Sequence, residues 1–125
     1  MSDYHEPENE LQPFDRDIAR ALNSLKEEVE AVNWYHQRVV TCADPDLKQV
    51  LSHNRDEEIE HACMALEWLR RNVKKWDQNL RTYLFSEKPI TEIEEESSDE
   101  TSEIRKDPTR SQGDIGIGSL KDNKS

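Results

Sequence analysis

From Asp15 to Thr41 the chain carries neither glycine nor proline, and apolar or aromatic side chains return at Leu22, Leu25, Val29, Val32, Tyr35 and Val39, three or four residues apart. That period lays them along one stripe of an α-helix. Ala43-Asp44-Pro45-Asp46 follows. It offers a capping carboxylate, a proline preset for the first helical position and an acid at the positive end of the dipole, so a second helix is expected to start there. This helix is expected to run to about Lys75 along a heptad seam of Leu47, Leu51, Asn54, Glu58, His61, Ala65 and Trp68. Arg70, Arg71, Lys74 and Lys75 suit its negative end. A connection confined to residues 42–45 makes the two helices an antiparallel hairpin. A third, shorter helix is expected from Trp76 to about Phe85, carrying Leu80, Tyr83, Leu84 and Phe85 and ending before Lys88-Pro89.

The periodic pattern stops at both ends. Residues 1–13, with Pro7 and Pro13 among polar side chains, read as a flexible lead-in to a helical domain over 14–93. At Glu94 the composition turns to Glu-Glu-Glu-Ser-Ser-Asp-Glu-Thr-Ser-Glu, too poor in apolar surface to offset its chain entropy, so 94–112 is expected to be a disordered acidic linker. Apolar residues return at Ile115, Ile117 and Leu120 within the segment 113–125, which is too short to fold alone and has the look of a docking peptide.

Composition narrows the function. The chain has 125 residues, enough for one domain and too few for separate cofactor and substrate modules. Lys and Arg number 17 against 28 Asp and Glu, a formal charge of −11 that repels phosphate backbones and makes nucleic acid an unsuitable partner. All three glycines, Gly113, Gly116 and Gly118, lie near the end of the chain, so no upstream phosphate-binding glycine turn is possible. No apolar run is long enough to span a bilayer. Cys42 and Cys63 lack metal-clip spacing and no apolar leader precedes them; reduced thiols in a cytoplasmic protein are expected, serving as small space-fillers.

The second helix breaks its own seam. Glu58 and His61 stand three residues apart where a packed hairpin would place Leu or Ile, and Glu28 falls between Leu25 and Val32 on the matching stripe, with Tyr35 one heptad on. Two carboxylates and an imidazole on facing helices suit a first-row metal ion, and a Glu from one helix with Glu-x-x-His from the other is half of a di-iron carboxylate set. One chain has a single pair of long helices. The full set therefore requires two copies across a twofold axis, which makes the metal site the dimer interface as well. Glu-x-x-His arises readily by chance in a Glu-rich chain, and a buried Glu and His satisfying each other is the other reading of the same residues.

The remaining candidates have bland readings beside sharp ones. Glu27, Glu30, Glu57 and Glu60 form either a solvated helix face or an acidic funnel for divalent cations. Tyr35 is either core or a phenol near the metal; Trp34, Trp68 and Trp76 suit packing. His36 and His53 lie off the seam of Glu58 and His61 and suit surface roles. No nucleophile with a base and an orienting third group is present.

Taken together, Glu27-Glu28-Val29-Glu30-Ala31-Val32-Asn33-Trp34-Tyr35, His53-Asn54-Arg55-Asp56-Glu57-Glu58-Ile59-Glu60-His61-Ala62, Leu66-Glu67-Trp68-Leu69-Arg70-Arg71 and Leu80-Arg81-Thr82-Tyr83-Leu84-Phe85 resemble the encapsulated ferritins, ferritin-like cargo proteins of encapsulin nanocompartments. Ile115-Gly116-Ile117-Gly118-Ser119-Leu120 also resembles a family segment. The resemblance implies an all-α fold: a two-helix antiparallel hairpin with a short third helix, dimerising into a four-helix ferritin-like bundle and then a ring-shaped homodecamer. It implies a ferroxidase, converting Fe(II) to Fe(III) with dioxygen at a di-iron centre shared between two subunits. Glu28, Glu58 and His61 would bind iron with Tyr35 beside them. Glu27 and Glu30, next to Trp34, would form an outer iron-attracting site. The end of the chain would bind the encapsulin shell through Ile115, Ile117 and Leu120, placing the protein in the cytoplasm inside that compartment. Asn33 and His36 stand where the family commonly has acidic or amide residues, and Cys42 and Cys63 are not part of its pattern. A non-catalytic helical metal-binding or adaptor protein, docking through the same terminal segment, is the alternative.

Overall fold

The computed structural model describes residues 4–105, with side chains described as far as residue 98. A 3-10 turn at Glu8–Glu10 leads into α1 (Pro13–Thr41), α2 (Pro45–Asn72), α3 (Lys74–Tyr83) and α4 (Ile90–Arg105). The fold is all-α, with two long helices packed as a hairpin, as the apolar period requires. No described helix is long and apolar enough to cross a membrane.

Capping chemistry sets where the long helices begin. Pro13 opens α1, and the Asp15 carboxylate accepts the backbone N–H of Gln12 at 3.0 Å. Arg16 donates to the Glu8 carbonyl at 2.8 Å, so the stretch expected to be a flexible lead-in is tied to the first turn of α1 at that point. The Asp44 carboxylate accepts the Leu47 N–H at 2.8 Å and Pro45 takes the first helical position, the start that the sequence implies for α2.

α1 and α2 run antiparallel. His61 reaches Glu28 and Arg55 reaches His36, so advancing along α1 means retreating along α2. Two compact units part between Leu69 and Arg70, and the last turn of α2 belongs to the second. α2 stops at Asn72, short of the expected Lys75, because Val73 adopts an extended conformation (φ −129°, ψ 109°) and Lys74 and Lys75 open α3 instead. α3 in turn ends at Tyr83, where the chain turns through a left-handed Phe85 (φ 61°).

α4 is a correction to the sequence reading. The acidic stretch from residue 94 is expected to be a disordered linker, yet it is helical as far as Arg105. Pro89 accepts the first two bonds of the helix, from Glu92 and Ile93; Glu92 sits at the positive dipole end; and Lys88 pairs with Glu96 at 3.1 Å. Ile93 is buried and α4 touches α3, which supplies the apolar anchor that the Glu-rich run lacks by itself. Residues 106–112 of the expected linker and the whole terminal segment, including Ile115, Ile117 and Leu120, lie outside the described residues.

Among the described residues the buried apolar side chains are few: Ile18, Val39 and Leu69 in the first unit, Val73 and Ile93 in the second. Leu22, Val29, Trp34, Val40, Leu47, Val50, Ile59 and Met64 are exposed along the hairpin, so Leu22 and Val29 of the expected α1 stripe and Leu47 of the expected α2 seam stay outside the core of the single chain. Single-chain burial of this extent is small for the length of helix it must order.

Two outcomes follow. Leu69 is fully buried, so Leu69→Ala is expected to cost about 2–5 kcal/mol in urea unfolding at fixed protein concentration. In the second unit the Arg70 guanidinium, hydrogen-bonded to Asp77 at 2.5 Å, holds the Asp77 carboxyl below its ordinary value, against the opposing effect of partial burial and with help from Arg81 at 2.9 Å. A lowered carboxylate pKa adds stability that is complete above the ordinary carboxylate value and lost as pH falls through the lowered one. The stability gap between wild type and Asp77→Asn is therefore expected to be largest near neutrality and to shrink below about pH 4 in acid titrations of thermal unfolding.

Candidate metal centre

The hairpin register carries three donors to one place. Glu28 faces α2 because it shares the α1 stripe with Leu25, Val32 and Tyr35, all partly buried. Glu58 and His61, one turn apart on α2, face back. His61 Nδ1 lies 3.5 Å from a Glu58 oxygen and 3.6 Å from a Glu28 oxygen. One ligand atom from each residue falls within 4.8 Å of the other two, the one such cluster of three metal-capable side chains among the described residues.

The cluster is open. The side chains of Glu28, Glu58 and His61 retain 27%, 25% and 45% of their exposure in the single chain, so the three are reachable from solvent there. Distances of 3.5–3.6 Å are too long for hydrogen bonds holding the group closed. Two carboxylates and an imidazole nitrogen facing a common point are a donor set of the hard-oxygen-plus-nitrogen kind that first-row divalent ions take. Val29 and Ile59, each next in sequence to a cluster carboxylate, are 54% and 44% exposed, so both helices carry exposed apolar side chains within one turn of the charged centre along the chain.

Other candidates stand apart from this cluster. Glu27 and Glu30 are exposed on α1 and outside it; Trp34 lines a surface cleft with Gln37, Arg38 and Thr41. Tyr35 is partly buried, with the Arg38 guanidinium 5.1 Å over its ring. Cys42 and Cys63 are free thiols, Cys42 with its sulfur 3.6 Å from the Asp44 carbonyl. His36 accepts at Nδ1 from Arg55 at 3.2 Å, since arginine has donors only; a fixed cation at that nitrogen opposes metal binding there.

Glu57 is the residue that pattern reading left on the solvated face. Its two oxygens point to different histidines, 3.5 Å from His53 Nε2 and 3.9 Å from His61 Nε2. The signal was present in the sequence as a His-Glu-His run at four-residue spacing, masked by the Glu-rich surroundings.

Known proteins share this framework. Residues 3–87 match the profile of a family described as EncFtn-like. The chain is 61% identical over 117 residues to a "Ferritin-like protein" of Thermotoga maritima, covering 94% of this chain and 96% of that one. It is 52% identical over 121 residues to an "Encapsulated ferritin-like protein" of Rhodospirillum rubrum, covering 94% and 86%. A crystal structure of a Nitrosomonas europaea protein superposes with a TM-score of 0.69 at 54% identity, over 71% of this chain and 98% of that one. Both sequence alignments extend well past residue 87 and take in much of the acidic and terminal stretch.

Removing any one donor, as in Glu28→Ala, Glu58→Ala or His61→Ala, is expected to weaken Co(II) binding at least about tenfold to hundredfold, the loss typical of a mere supporting residue. Calorimetric titration against wild type checks this, with Glu95→Ala, on α4, as a variant of equal charge change.

Proposed function

The chain belongs to the EncFtn-like family, and on that premise we propose that it is a ferroxidase, oxidising Fe(II) to Fe(III) with dioxygen at a di-iron site shared by two copies of itself, for mineralisation inside an encapsulin shell. The observation that carries this reading is the convergence of Glu28, Glu58 and His61 on one open point of the hairpin. Three donors leave a first-row ion short of its usual coordination number. A second copy across a twofold axis supplies three more, covers Val29 and Ile59, and rebuilds the four-helix arrangement in which carboxylate-bridged iron pairs are held.

Iron is the substrate. Glu28 and Glu58 contribute anionic oxygens that favour the more highly charged ferric ion, and two adjacent irons give up two electrons together to dioxygen. His61 contributes a neutral nitrogen, Nδ1, the ring atom that faces Glu58 and Glu28. Tyr35, one heptad beyond Glu28, is placed by this reading beside the irons. Glu27 and Glu30, next to Trp34, with a chain charge of −11 behind them, gather cations ahead of the oxidation site.

Pairs of chains are proposed to associate further into a ring-shaped homodecamer. An open ring holds no mineral core, so storage falls to the shell. Ile115, Ile117 and Leu120 supply the apolar anchors for shell binding, the glycines between them allow close backbone approach, and several such segments per ring add avidity. The Rhodospirillum rubrum relative, described as encapsulated, supports this location, inside an encapsulin compartment in the cytoplasm.

Aerobic Fe(II) oxidation followed by absorbance tests the activity. Wild type is expected to exceed the protein-free rate, and the Glu28→Ala, Glu58→Ala, His61→Ala triple variant to fall to it; a correctly assembled wild type that matches the protein-free rate contradicts the ferroxidase reading in favour of a metal buffer or adaptor. Deleting residues 113–125 is expected to abolish co-purification with a co-expressed encapsulin while leaving iron oxidation intact.

A further inference from the structure

The two ring nitrogens of His61 face different neighbours. Nδ1 looks toward Glu58 and Glu28 at 3.5 and 3.6 Å; Nε2 looks toward Glu57 at 3.9 Å. Because the two nitrogens of an imidazole diverge, Glu57 lies on the far side of the ring from the cluster and cannot share its metal ion. We propose that Glu57 is a positioning residue for the metal centre: its carboxylate accepts the Nε2 proton of His61, turns the ring, and commits Nδ1 to the metal.

Local geometry supports this. Glu57 and His61 are successive-turn neighbours on α2, the spacing at which side chains meet, and the Glu57 oxygen stands 3.9 Å from Nε2, an ion-pair separation that under this proposal shortens to a hydrogen bond when Nδ1 binds a metal. On its other side the carboxylate faces His53, with its second oxygen 3.5 Å from His53 Nε2, so His53, Glu57 and His61 stand as a ladder along one edge of the helix. His53 is well exposed, and the ladder thus runs from solvent to the back of the metal-facing ring. A histidine bound to a metal almost always gives its other N–H to a carboxylate or carbonyl, which selects the tautomer and makes the ligating nitrogen more basic. Glu57 is the side chain placed to do this for His61, and its role differs from that proposed for Glu27 and Glu30, whose contribution is charge.

The inference rests on the metal-centre reading, and zinc separates the two. Zn(II) is redox-silent and diamagnetic, so binding affinity and histidine ring ¹⁵N spectra can be read on the full chain without iron turnover. In wild type, zinc is expected to shift His61 Nδ1 to a metal-bound position and leave Nε2 protonated. Glu57→Ala is expected to lose about tenfold to hundredfold in zinc affinity and to show His61 binding through both nitrogens. Glu57→Gln keeps an acceptor oxygen and is expected to restore Nδ1 ligation and part of the affinity. Glu60→Ala, which removes the same charge from the same helix, is expected to change neither. The inference is overturned if Glu57→Ala keeps wild-type affinity and ring signals, or if Glu60→Ala weakens zinc equally. Zinc that leaves the wild-type His61 ring unperturbed removes the metal-centre reading and this inference together.

Discussion

A two-helix hairpin has one stripe on each helix with which to hold itself together, and here that stripe carries Glu28, Glu58 and His61 where apolar side chains would stabilise it most. Like charges forced toward each other oppose the packing that brings them together. The rest of the architecture accommodates that conflict. Burial in the first unit is confined to Ile18, Val39 and Leu69, away from the cluster in sequence, while Val29 and Ile59 beside it stay exposed. A cation between the carboxylates turns repulsion into attraction, and a second hairpin over the exposed stripe supplies the missing burial, so the proposed metal binding and the proposed pairing relieve the same strain.

Helix ends were legible in the sequence to the extent that they depend on local chemistry. Asp44 and Pro45 fix the start of α2 through a cap that needs no tertiary context, and the stripe through Leu25, Val32 and Val39 fixes the face of α1. The three clustered side chains, the candidate donors, were legible for the same reason: a polar residue on an apolar stripe is a local anomaly. What the pattern missed depended on partners distant in sequence. α4 reads as a charged, disorder-prone run until Pro89 and Ile93 are seen to start and anchor it against α3. Val73 breaks α2 by its backbone conformation, which basic residues on either side conceal.

Charge assignment within the Glu-rich segments shows the limit most sharply. Glu57, Glu58 and Glu60 are indistinguishable in composition, yet Glu58 faces Glu28 while Glu57 stands behind His61. Helical geometry, about 100° per residue, separates them, and only an antiparallel partner gives those directions a meaning. Arg55 makes the same point: nothing in the sequence pattern pairs it with His36, yet across the hairpin it occupies the Nδ1 of that histidine.

The central claim is that the metal centre is completed by two chains. Native mass spectrometry of the anaerobic protein during Co(II) addition tests it most directly. The account predicts that cobalt is retained by paired chains, two ions to each pair, with single chains carrying none. Cobalt held stoichiometrically by single chains, with no change in the proportion of pairs, would contradict it.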